Sequence, residues 1–186
     1  MARGDVEILQ PNPAVALLSS VLGCGGGGAA PVVSEDDFVV WENFKKYLRG
    51  YRLIRPAFQA AVAVFFLESP VEEQVAAAWE RSPSAGFVRH NLAAALVMAA
   101  AGEAIPEIRA AGCAPLPAPD EDLRRHLRRL GLILSESGSL NRQYAVMTFA
   151  PSIGGCAVCH LRAHCPKCTV RGGEAPGGEE TRADGA

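Results

Sequence analysis

The chain has 186 residues, 49% of them hydrophobic, with 18 basic against 20 acidic side chains and a net charge of -2. That length fits one domain with a sizeable core, although alanine supplies much of the apolar content and buries little area per residue. The near-neutral balance excludes a global pull toward nucleic acid or acidic lipid, and no apolar run reaches the length of a membrane span.

Residues 1–33 show no sustained periodicity beyond a short helix over Val15 to Leu22. The stretch ending Val21-Leu22-Gly23-Cys24 has the look of a lipoprotein cleavage site, but Asp5 and Glu7 precede it and a positively charged leader is missing. The expectation is a cytoplasmic chain, whose thiols stay reduced. Gly23 to Gly28 formally contains G-x-G-x-x-G. A dinucleotide loop needs a strand before it and a helix opening on its last glycine; Ala-Ala-Pro-Val-Val follows instead, so the run reads as a linker.

Ser34 with Asp37 forms a capping box and opens a helix, with Phe38, Trp41, Phe44 or Lys45, and Leu48 on one face through Gly50. Pro56 starts a second helix, in which Phe58, Ala61, Val62, Phe65 and Phe66 recur at helical spacing. Ser69-Pro70-Val71-Glu72 starts a third, with Val71, Val75, Ala78 and Trp79 inward, and Ser82-Pro83-Ser84 ends it. Phe87 to Ala101 is a fourth, apolar nearly all round, ended or kinked by Gly102 and Pro106. Cys113 to Pro119 carries three prolines and is a loop. Asp120-Glu-Asp opens a fifth helix, with Leu123, Leu127 and Leu130 inward and Arg124, Arg125, Arg128 and Arg129 outward.

Leu132 to Leu134 and Tyr144 to Phe149 read as two strands of a hairpin, an order similar to the winged-helix arrangement. The expected fold is therefore mainly α, about five helices in a bundle-like domain, followed by a short β-hairpin and a C-terminal cysteine knuckle. The divisions are a flexible glycine-rich segment over 1–33, the helical domain with its hairpin over 34–150, the knuckle over 151–170 and a disordered tail over 171–186.

Four of the six cysteines fall in Cys156-Ala-Val-Cys159-His160-Leu-Arg-Ala-His164-Cys165-Pro-Lys-Cys168. Four thiolates can close around one metal ion or one cluster, so Cys156, Cys159, Cys165 and Cys168 are the candidate ligands, with His160 and His164 as possible substitutes. The first three cysteines, C-x2-C-x5-C, resemble [4Fe-4S] loops in endonuclease III-like glycosylases, in NifQ-like molybdenum-handling proteins and in the auxiliary clusters of SPASM-type radical enzymes. The resemblance is confined to residues 156–168. The glycosylase loop would want a cysteine at Phe149, the NifQ loop one at Pro151, and the SPASM pattern its last cysteine at Thr169. The resemblance implies a [4Fe-4S] cluster and carries over no family function.

Zinc is the alternative, because two C-x2-C halves make an all-cysteine tetrahedral site. Cys156 to His160 also spells the C-x-x-C-H of haem attachment, which leaves Cys165 and Cys168 unexplained. Cys24 and Cys113 read as ordinary small residues, with a remote cluster ligand as the alternative for either, His90 as a satisfied core or boundary histidine, and His126 as solvated among arginines. No Ser–His–Asp order or phosphate loop with lysine is visible, which argues against a hydrolase or kinase. The expectation is a small cytoplasmic iron–sulfur protein serving electron transfer, redox sensing or metalloenzyme assembly, with a redox or maturation protein as partner. The alternative is a zinc-stapled interaction or regulatory module whose residues 132–168 unfold on chelation. The arginines of the fifth helix leave nucleic acid open as a further partner. Gly154-Gly155 before the knuckle and the scarcity of apolar cover predict a partly exposed, oxygen-sensitive cluster.

Overall fold

The structure, a computed structural model, describes residues 6–14, 34–54 and 61–165. The expected helix over 15–22, the glycine run, Cys24, the helix start at Pro56, Cys168 and the tail lie outside these residues. Among the described residues no helix is long and apolar enough to cross a membrane.

Four antiparallel strands, β1 (Val6–Leu9), β2 (Leu48–Leu53), β3 (Ala61–Leu67) and β4 (Ala145–Ala150), form one sheet in the order β1-β2-β3-β4. The described α-helices are α1 (Glu35–Lys45), α2 (Ser69–Arg81), α3 (Pro83–Ala104), α4 (Pro106–Ala111) and α5 (Glu121–Arg129). The mainly α expectation, a bundle followed by a hairpin, is overturned: a sheet lies at the centre and helices cover both of its faces.

The decisive segment is Ala61–Leu67, expected as helix and found as β3. Ala63, Phe65 and Leu67 face a core with Trp41 and Phe44 of α1, Val71 and Val75 of α2, and Leu92 and Leu96 of α3. Val62, Val64 and Phe66 face a second core with Leu123 and Leu127 of α5, Leu132, Leu134 and Met147. A strand buried on both faces has a continuous apolar run and no alternation, so its sequence satisfies helical spacing as well.

The first expected helix is likewise shorter. Its capping box is present, with Asp37 N–H donating to Ser34 Oγ and Ser34 N–H to Asp37 Oδ2. However, α1 stops at Lys45, and Leu48 begins β2. Gly50 of β2 sits opposite Phe65. A Cβ there would lie 3.1 Å from the Phe65 ring, so the missing side chain lets the ring lie over the strand. β1 arises from the segment read as aperiodic and pairs with β2, Val6 opposite Leu53. Just beyond it, the Pro13 carbonyl accepts from Trp41 Nε1 and Asn12 N–H donates to Glu103.

Ser82 caps α3 through the Ala85 N–H, with Pro83 in the first turn, so Ser82-Pro83 starts a helix as well as ending one. Trp79, expected inward, is half exposed and lies over Gly86. The expected hairpin does not form. β4 pairs with β3, Phe65 opposite Val146, whereas Leu134 makes an isolated bridge to Leu140. His126 is buried, not solvated; its Nδ1 lies 2.9 Å from the Asp122 carbonyl oxygen. His90 Nδ1 lies 3.0 Å from Tyr144 Oη. Burial, and secondarily the Glu72 carboxylate, push the Tyr144 phenol up to about 12.

Candidate metal centre

Two segments outside the sheet meet at the end of β4. The first follows α4, which closes on Gly112 in the left-handed region, φ 61°. Prolines at 115, 117 and 119 then stiffen the loop that begins with Cys113, with Pro115 and Pro117 buried. The second segment continues from β4 through Pro151. The α3–α4 junction at Ile105 and Pro106 shares a cleft of about 250 Å³ with Ala150 and Pro151, and this brings α4 beside the knuckle.

Gly154, with φ 89°, turns the backbone into a 3-10 helix over Gly155–Val158, and a second covers Arg162–His164. The hydrogen bonds advance by three residues: Cys159 N–H donates to Cys156 O at 3.3 Å, Arg162 N–H to Cys159 O at 3.1 Å, and Cys165 N–H to Arg162 O at 3.4 Å. In such turns residues three apart lie on one side. C-x2-C-x5-C is thus a period-three row, Cys156, Cys159, Arg162, Cys165, and these four residues line one pocket of about 70 Å³. Glu107 of α4 and Cys113 of the loop after it line the same pocket.

Two contacts join the segments. Leu116 N–H donates to Cys159 Sγ at 3.4 Å, and Leu116 O accepts from His160 N–H at 2.8 Å. An amide hydrogen bond to sulfur is the kind of contact that orients a thiolate ligand and tunes what it binds. Cys156, Cys159 and Cys165 carry free thiols; Cys156 is exposed, and the other two are half-buried.

His160 and His164 are exposed and do not line the pocket. Cys168, the next member of the period-three spacing, lies outside the described residues. Among the described residues no three His, Cys, Asp or Glu side chains form a ready metal-binding group; the thiols stand around the pocket, not about one centre. Cys113, read from the sequence first as an ordinary loop residue and only alternatively as a remote ligand, lines the pocket. Neither its spacing nor its neighbours signal the contact, which depends on how α4 sits against the end of β4. The arginines of α5 sit elsewhere, Arg125, Arg128 and Arg129 exposed, with Arg128 Nη2 paired to Glu121 Oε1.

Compared with protein families, curated proteins and solved structures, the chain matches none.

Proposed function

We propose that this is a small cytoplasmic iron–sulfur protein that binds one [4Fe-4S] cluster through Cys156, Cys159, Cys165 and a fourth cysteine, for which the knuckle itself offers Cys168. The observation that supports it is the period-three row, which turns C-x2-C-x5-C into three thiols on the wall of one pocket. The spread of the thiols favours a cluster over a single ion. Four Cys–zinc bonds of about 2.3 Å draw the sulfurs tightly together. Among the described residues no three side chains form a group that would hold one metal ion, while four cysteines line one pocket.

When bound, a cluster exchanges single electrons, and the exposure of the knuckle gives a partner protein access to it. Electron transfer, redox sensing and metalloenzyme assembly share this requirement. Arg162 places positive charge among thiolates that are negative when ligating. The test is anaerobic purification of the full chain with metal and sulfide analysis. Brown protein with broad visible absorbance and about four irons per chain supports the reading. Colourless protein with stoichiometric zinc overturns it and leaves a zinc-stapled module in its place.

A further inference from the structure

We infer that Cys113, not Cys168, is the fourth ligand of this centre; the inference deepens the cluster reading and rests on it. Cys156, Cys159 and Cys165 belong to one segment of chain and line one pocket. A cube takes one ligand for each iron, so a fourth thiol beside the same pocket is needed. Cys113 is there, lining the same pocket at the start of the loop after α4.

That placement is held independently of Cys113 itself. Leu116, three residues on, is fixed to the knuckle by its N–H to Cys159 Sγ at 3.4 Å and its carbonyl to His160 N–H at 2.8 Å. The buried prolines on either side of Leu116 restrict the loop, and the left-handed Gly112 sets where it departs from α4. Among the described residues these thiols line the pocket without forming a group that would hold a single metal ion. A change of χ1 rotamer redirects each sulfur without moving the backbone. Ligation removes the thiol protons and leaves four thiolates, beside which Arg162 stands in the row.

The site therefore joins two segments far apart in sequence, and α5 and β4 lie in the chain between its ligands. A ligand set within 156–168 would close only the knuckle on itself. The two assignments differ in what each cysteine does when the site is filled.

The experiment uses full-length wild type, Cys113→Ala and Cys168→Ala, each purified anaerobically and reconstituted with ferrous iron and sulfide. Iron, sulfide and visible absorbance are measured, with far-UV circular dichroism to check folding. Wild type and Cys168→Ala are expected to hold about four irons per chain, and Cys113→Ala to lose at least one iron or the whole cluster. A second measurement needs no variant: thiol alkylation of loaded wild type, followed by mass spectrometry. Cys113 should react at least about tenfold more slowly in loaded protein than after metal removal, as a ligated thiolate is withdrawn from reaction. Full iron content in Cys113→Ala, or equal alkylation of Cys113 with and without metal, overturns the assignment while leaving a cluster in the knuckle. Wild type that carries zinc overturns the cluster reading alone, and protection of Cys113 by that zinc still upholds its place as a ligand. Wild type that holds neither metal overturns both.

Discussion

Val64→Ala separates the strand from the helix that the sequence suggests for the same residues. Val64 is fully buried on β3, opposite Tyr51 of β2 and Met147 of β4, in the core built with Leu123 and Leu127. Removing its two methyl groups forfeits about 0.8 kcal/mol of transfer free energy for each, before any cavity is counted. The neighbouring strands cannot close the gap without disturbing their register, so a cavity term adds to this, for a total of about 2–3 kcal/mol. For a chain of this size the melting temperature should fall by roughly 5–10 °C. Urea unfolding at neutral pH reads the loss as a lower midpoint at unchanged slope. In a helix with Phe58, Ala61, Val62, Phe65 and Phe66 inward, Val64 faces solvent, and the same change costs no more than about 0.5 kcal/mol. A loss that small, at unchanged slope, refutes the central placement of β3 and the two-core account that depends on it.

Anaerobically loaded protein exposed to air should lose its visible absorbance within minutes to an hour, because the knuckle is largely exposed; persistence for days means the site is shielded. Cys24→Ser should leave the loaded spectrum unchanged, and loss of the cluster in that variant refutes the ligand set. Tyr144, raised by burial and by Glu72 to about 12, makes stability fall with pH. The folded state holds the phenolic proton more tightly, so the contribution is complete below about 10, the unfolded value, and is lost on passing through 12, for a total of about 3 kcal/mol. Unfolding of wild type and Tyr144→Phe at pH 9 and 11 should show the steeper decline in wild type, and parallel declines refute the raised value. Ser34→Ala removes one half of the capping box of α1 and should cost about 1 kcal/mol in urea unfolding, with no effect on metal content.

What the sequence revealed follows the range of the interactions involved. Ser34, Pro70 and Asp120 act within one turn of chain, and each marks a helix start to within a residue. Glu72 lies in that first turn as well, yet it accepts from Gln143 N–H at 2.8 Å instead of reaching back to its own helix, and nothing local discloses that. β2 and β3 are defined by pairing and by burial on two faces, and neither property is written in the period of Ala61–Leu67. The last strand was legible because its run is short, β-rich and bounded, although its partner is β3 and not the neighbouring Leu132–Leu134. The same division runs through the candidate site. The row at Cys156, Cys159 and Cys165 is local, and its spacing already contained the period of three. Cys113 belongs to it through α3, α4 and the end of β4, and no residue count along the chain could supply that.

The position of the site also limits what bound metal can stabilise. No described cysteine lies on a strand or an α-helix; the thiols sit on a proline-stiffened loop and on two 3-10 turns whose residues are mostly exposed. Ile153, Val158 and Leu161 are exposed there, so burial of apolar area contributes little to holding the knuckle in place. The Leu116 contacts to Cys159 and His160 are worth on the order of 1 kcal/mol each at most. Metal–thiolate bonds would then dominate the joining of the two segments. The sheet and its two cores, by contrast, are completed by Trp41, Phe65, Leu96 and Leu123, none of which lines the pocket. On the proposed reading, gain or loss of metal would act on the loop and the knuckle while the sheet stays folded. On that same reading, the site would register redox state or pass its contents to a partner without unfolding the domain that carries it.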